Sequence, residues 1–211
     1  MNDKLSDVVY VHGLWLTGAE SVFLRRRLER EHGMRLHAFR YPTVRASMQD
    51  ITERLHSFVQ ELQPRHLHFI GHSLGGLVIY RYLERFPQEK LGRVVFLGTP
   101  SVTSRAAVNA ARKAAWISRL IGQCVAEELL VDRERRWTFA RDLGIIAGTR
   151  RRGLGQFFAG FDEDCDGTIA VSETRMVGAT DHVSMPVSHT GMLMSDDVAR
   201  AAATFLKAGR F

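Results

Sequence analysis

Long apolar runs are missing from this chain. No stretch of its 211 residues approaches the roughly 20 consecutive apolar residues that cross a bilayer. Met1-Asn2-Asp3-Lys4 is not followed by an extended apolar segment, so a secretory leader is not expected. Cysteine is scarce. Cys124 and Cys165 make no metal-ligand spacing, and without an export signal they are expected to be reduced thiols in a cytoplasmic protein. Internal repeats, low-complexity tracts and linkers are absent, and the length suits one domain spanning 1–211. Lysine is sparse: the net charge of +6 is almost wholly arginine, clustered at 25–27, 133–136 and 150–152. Such clusters suit solvated helix faces and loop ends, and no nucleic-acid motif accompanies them. The charge does not demand a membrane surface, and nothing specifies an oligomeric state.

What is present is an alternation of short apolar runs with amphipathic segments. Val8–Val11, Met34–Phe39, His66–Ile70, Val94–Leu97, Ile145–Ala147 and Arg175–Ala179 are predicted strands. Between them, Thr17-Gly-Ala-Glu20 resembles a capping box for a helix reaching about Arg30. Met48, Ile51, Leu55, Phe58, Val59 and Leu62 recur at helical spacing, and Leu74–Phe86 is a helix stopped by Pro87. Ser195-Asp-Asp opens a last helix that ends near Gly209. Strands alternating with helices predict an α/β fold: a mostly parallel sheet of about six strands with helices on both faces. In such sheets chemistry gathers at the carboxyl ends of the strands.

One of those ends carries a specific pattern. Gly71-His72-Ser73-Leu74-Gly75 follows a predicted strand and opens a predicted helix, the context of a nucleophile elbow. A serine there sits in a strained turn, and small residues two before and two after let neighbouring backbone pass closely. The hydroxyl is lifted above the sheet, and the positive helix end faces a developing oxyanion.

With Gly76 added, this segment resembles the lipase box of the α/β-hydrolase superfamily, lipase/esterase type. Val11-His12-Gly13-Leu14 is similar to that family's oxyanion loop, and Leu97-Gly98-Thr99-Pro100 to its following strand end. The resemblance runs from about Val8 to the last helix and is weakest over 101–141. It implies a serine hydrolase acting on small-molecule or lipid esters without a cofactor or metal. Thioesterase and acyltransferase chemistry remain open on the same residues, as does a noncatalytic calcium-binding module using the acidic loop 162–173.

A serine hydroxyl needs a base, which near neutral pH is histidine. The expected chain order is serine, acid, histidine. His189, in Ser188-His189-Thr190-Gly191, is the expected base, with His182 as the alternative. Asp166, in Cys165-Asp166-Gly167, is the expected acid; Asp164, then Asp162, are rivals, and Asp142 suits the role less. The backbone N–H groups of Leu14 and Leu74 are the expected oxyanion donors. Trp15, His12 and His72 are expected to line or shape the substrate site, with Phe157 and Phe158 as further candidate walls. The segment 101–141 reads as a helical insert, either a cap or part of the core.

Residues 162–173 also satisfy the calcium-loop pattern Asp-x-Asp-x-Asp-Gly-x5-Glu. Glycines at 153, 155 and 160 make the preceding segment a poor helix, and a strand is expected soon after Glu173. Flanking helices are what that motif requires, so no metal site is expected.

Overall fold

Alternation of apolar side chains is what builds the sheet. In the computed structural model, described for residues 6–86, 91–102, 128, 135–151 and 163–211, six strands run parallel. They are β1 (Ser6–Val11), β2 (Met34–Phe39), β3 (Leu67–His72), β4 (Leu91–Leu97), β5 (Leu143–Gly148) and β6 (Asp181–Met185), in the order β2-β1-β3-β4-β5-β6. Side chains of successive strand residues point to opposite faces. Val9, Val11, Phe69, Val94, Phe96, Leu143 and Ile145 accordingly enter one apolar layer. Val8, Tyr10, Ile70, Val95, Leu97 and Ile146 enter the other.

Each layer is closed by a helix pair. On the first face lie α2 (Met48–Leu62), through Ile51, Leu55 and Val59, and α3 (Leu74–Arg85), through Leu77 and Val78. On the second lie α1 (Val22–His32), through Leu24 and Leu28, and α5 (Asp196–Ala208), through Val198, Ala202 and Phe205. A one-turn helix, α4 (Val171–Thr174), follows β5. The start of α2 is a complete capping box: Ser47 Oγ accepts the Asp50 N–H at 3.1 Å while the Asp50 carboxylate accepts the Ser47 N–H. Ser195 Oγ caps α5, and Gly209 ends it in the left-handed region at φ 79°.

Two expectations need correction. The run Arg175–Ala179 is not the sixth strand. Gly178 turns there at φ 88°, where a Cβ would stand 2.3 Å from the Trp137 carbonyl oxygen, so the chain crosses rather than extends. The strand is instead Asp181–Met185, an edge strand whose residues are mostly half-buried, which is why it lacks an apolar signature. The start of α1 also differs. Thr17 supplies no side-chain cap; its N–H donates to Glu20 Oε2 at 3.3 Å, a 3-10 turn (Ala19–Ser21) intervenes, and the α-helix begins at Val22.

One arginine of the clusters expected to be solvated is not. Arg135 is 2% exposed. Its Nη2 donates to the Glu128 carboxylate and carbonyl, each at 2.7 Å, while Arg81 Nε of α3 donates to the same carboxylate at 2.7 Å. The Arg135 N–H donates to the Ser101 carbonyl at 3.2 Å, so the two ends of the stretch between β4 and β5 meet. Most of the 101–141 insert, Phe157, Phe158, Asp162 and Cys124 lie outside the described residues, as does any cap role for that insert. Among the described residues no helix is long and apolar enough to cross a membrane.

Candidate active site

Ser73 joins β3 to α3 with φ 54° and ψ −123°, a conformation rare outside glycine and costing about 1–3 kcal/mol. Close packing enforces it. A Cβ on Gly75 would lie 2.0 Å from the Val11 carbonyl oxygen, one on Gly71 2.5 Å from Gly76 Cα, and one on Gly76 2.2 Å from Thr99 Oγ1. β1 and β4 therefore press the turn from both sides. The Ser73 N–H donates to the Leu97 carbonyl at 2.9 Å, and Thr99 Oγ1 donates to the Ser73 carbonyl at 3.0 Å. The serine itself stays partly exposed at the mouth of the sheet.

His189 and Asp166 are joined twice. The imidazole Nδ1–H donates to Asp166 Oδ2 at 2.6 Å, and the His189 backbone N–H donates to the Asp166 carbonyl at 2.9 Å. A carboxylate accepts only, so the Nδ1 position holds the proton and Nε2 carries the basic lone pair. Asp166 is 1% exposed, and its Oδ1 accepts the backbone N–H groups of Thr168 and Ile169 at 2.8 and 2.7 Å. These bonds give the buried carboxylate oxygen the partners that burial denies it from water.

The serine and the histidine–aspartate pair meet through one segment. Leu97 and Thr99 hold the Ser73 backbone. Gly98 between them, at φ 57°, would set a Cβ 2.9 Å from Asp166 Oδ2 and 3.0 Å from His189 Nδ1. A single turn after β4 thus touches both halves of the candidate triad.

The loop after β1 is also fixed. His12 is fully buried and stacks on Tyr41 with ring centroids 4.3 Å apart. Its Nε2 accepts the Tyr41 N–H at 3.3 Å, so Nδ1 carries the hydrogen and donates to the Gly13 carbonyl at 2.9 Å. Leu16 N–H reaches the same carbonyl at 3.3 Å. In a trans peptide the carbonyl and the next N–H point oppositely, so this grip aims the Leu14 N–H away from His12. A Cβ on Gly13 would be 3.1 Å from Ser73 Cβ, which places the Gly13–Leu14 turn beside the serine. Leu74 is the first residue of α3, where N–H groups lack intrahelical partners.

Other expected residues fall in different places. His12 and His72, expected to line or shape the substrate site, are 0% and 1% exposed, beneath the glycine-rich turns. Burial holds both imidazoles below their usual range, His72 down to about 3. Trp15, at φ 59° and 59% exposed, stands out beside Leu14. His182 lies on β6, where Nε2 donates to Thr174 Oγ1 at 2.9 Å. Asp142 pairs with Arg93 at the opposite end of the sheet, and Asp164 is exposed with its carbonyl accepting the Val171 N–H. Tyr41 carries no sequence signal that singled it out for the site, and Glu173 is marked in the sequence only as the last position of the calcium-loop pattern. Glu173, 3% exposed, accepts the Ala170 N–H at 2.9 Å, and its carbonyl accepts both the Ser101 N–H and Oγ–H. Two carboxylates of the calcium-loop pattern, Asp166 and Glu173, bind backbone N–H groups of a tight turn closed by the Cys165–Ala170 bridge. Among the described residues no group of three or more histidine, cysteine, aspartate or glutamate side chains is arranged to hold a metal.

Residues 8–208 match the alpha/beta hydrolase family. This chain is an alpha/beta hydrolase. Among solved structures, this hydrolase resembles the mature lipase BlEst2 of Bacillus licheniformis with a TM-score of 0.72 at 18% identity, over 98% of this chain and 92% of that one. It resembles carboxylesterase CesB of Bacillus subtilis with a TM-score of 0.62 at 14% identity, over 98% and 85%. Phospholipase PlaB of Legionella pneumophila gives 0.67 at 16% identity; this hydrolase covers 57% of that longer chain, and 93% of itself is matched. At these identities the likeness is one of fold. No curated protein matches the sequence.

Proposed function

We propose that this hydrolase cleaves carboxylic esters through an acyl-enzyme on Ser73. The observation that carries the reading is the shared turn: Leu97–Thr99 holds the strained Ser73 on one side and packs its glycine onto the His189–Asp166 pair on the other. His189 Nε2 takes the proton from Ser73 Oγ, which bonds to the ester carbonyl carbon. The carbonyl oxygen becomes an oxyanion that accepts hydrogen bonds from the Leu14 and Leu74 N–H groups, each worth about 3 kcal/mol in the transition state. Asp166 holds the imidazolium in its productive orientation without taking its proton. His189 then gives the proton to the leaving alcohol as the carbon–oxygen bond breaks. Water, deprotonated by His189, attacks the acyl carbon and releases the acid and the free serine.

The likeness to structures named lipase, carboxylesterase and phospholipase supports a small-molecule or lipid ester as the substrate class. Trp15 beside Leu14 is the apolar surface that meets the acyl or alcohol group. The test is labelling with a fluorophosphonate, located by peptide mass spectrometry, together with p-nitrophenyl esters and thioesters of rising chain length. Labelling at Ser73, and ester turnover abolished by Ser73→Ala, is the expected result. Turnover that survives Ser73→Ala overturns the reading, and a preference for thioesters moves it to thioester hydrolysis.

A further inference from the structure

Beside the nucleophile lies a buried histidine that the chemistry above does not use. His72 is 1% exposed, and the contacts of its two ring nitrogens are unlike. Nε2 lies 2.9 Å from the His189 carbonyl oxygen, which only accepts, so Nε2 carries the hydrogen. Nδ1 is then a bare acceptor, and it is buried with no hydrogen-bond partner. It faces the turn that presents Leu14: a Cβ on Gly13 would approach it to 3.2 Å. The His72 ring also packs on the His189 ring, with centroids 4.7 Å apart and planes tilted by 46°.

An unpartnered buried acceptor costs about 1–3 kcal/mol, against about 1 kcal/mol gained from the bond to His189. A phenyl ring would fill the same space without that cost. We propose that His72 is a positioning residue for the base: its Nε2–H holds the His189 main chain and its ring backs the His189 imidazole, fixing where the basic nitrogen stands relative to Ser73. This rests on the assignment of His189 as the base.

The charge state of His72 belongs to the same role. Among the described residues three titratable groups act on the ring: His189 from the loop after β6, Asp166 from the turn after β5, and His12 from the loop after β1. Burial, reinforced by the His189 ring, keeps His72 neutral down to about pH 3, outweighing the opposite pulls of the bond to the His189 carbonyl and of Asp166. No second cation therefore stands against His189 when it takes up the serine proton.

Three substitutions and one spectrum decide it. His72→Phe keeps the ring and removes the donor. His72→Gln puts an amide N–H near the Nε2 position, and His72→Asn puts it near the Nδ1 position. The Phe and Asn variants are expected to lose about tenfold to a hundredfold in kcat, the scale of a misplaced catalytic group. KM should stay within about twofold, because ground-state binding is untouched. The Gln variant should stay within about threefold of the parent. A Phe variant with parental kcat, or Gln and Asn variants that fall alike, overturns the proposal; should the Phe variant not fold, the Gln and Asn pair decides. The second readout needs no turnover. Long-range nitrogen–proton spectra of the labelled chain should show His72 as the neutral Nε2–H tautomer between pH 5 and 8. A charged ring or an Nδ1–H tautomer in that range overturns the proposal. If the parent shows no Ser73-dependent ester turnover, the proposed function fails while the spectrum still decides the placement of His72.

Discussion

The nucleophile turn and the acid turn are held by opposite means. Around Ser73 the constraint is volume: three glycines lie where any Cβ would collide with Val11, Gly76 or Thr99. Around Asp166 the constraint is polar pairing: two backbone N–H groups grip its carboxylate, and His189 grips its carbonyl. The first turn is intolerant of added atoms, the second of lost or reversed hydrogen bonds. A strained backbone needs steric walls, because it has few donors with which to hold itself. A buried charge needs donors, because walls alone would leave it unsolvated.

The sharpest way to break the polar side is Asp166→Asn. Its amide oxygen can still accept from Thr168 and Ile169, but its NH2 group meets His189 Nδ1 and reverses the tautomer. The expected loss is about ten-thousandfold in kcat/KM on a p-nitrophenyl ester, with folding preserved by circular dichroism. On the steric side, Gly75→Ala drives a Cβ into the Val11 carbonyl and should cost about 3 kcal/mol or more in urea unfolding. An unfolding midpoint equal to the parent's would remove the steric account.

Acid distinguishes the two regions in another way. Burial lowers His68 to about 4 and His72 to about 3 from an ordinary value of 6.5. Below pH 6.5 the unfolded chain takes up these protons and the folded chain does not, so stability present above that pH is lost as pH falls toward 4. The expected slope near pH 5 is about 2.5 kcal/mol per pH unit from the two together. Urea titrations at stepped pH check it, and the slope should shrink by about half in His68→Gln. The smallest effect is expected from Glu173→Gln. It weakens the cap on Ala170 by about 1–2 kcal/mol and lowers kcat by less than about tenfold, since Asp166 keeps its own donors.

The sequence was most legible where a residue type has one physical use. The elbow glycines, the capping serines and the apolar strands all follow from sterics and periodicity, and the α/β fold was readable from them; the hydrolase family was readable only through the resemblance of Gly71–Gly76, Val11–Leu14 and Leu97–Pro100 to that family's motifs. His189 and Asp166 were singled out by chain order together with the resemblance of their turns to the family's, and the structure brings the two side chains to 2.6 Å. Legibility failed where the environment overrides composition. The polar strand Asp181–Met185 is stabilised by its place at the sheet edge, while the more apolar Arg175–Ala179 is diverted by Gly178. Arg135 looked like one of many surface arginines, because burial of its charge depends on Glu128 seven positions earlier. The tautomers of His12 and His72 depend on which carbonyl each ring meets, and that is a fact of tertiary structure.

The hydrogen bond from the Arg135 N–H to the Ser101 carbonyl closes a gap of 34 positions in the chain. Because its two ends already touch, the stretch between them adds nothing to the span from β4 to β5. The entropy of closing such a loop rises only with the logarithm of its length. Arg135 is nevertheless held by Glu128, which lies inside that stretch, so a segment exchanged between Ser101 and Arg135 must keep a carboxylate at that place or leave a buried guanidinium without its counter-charge.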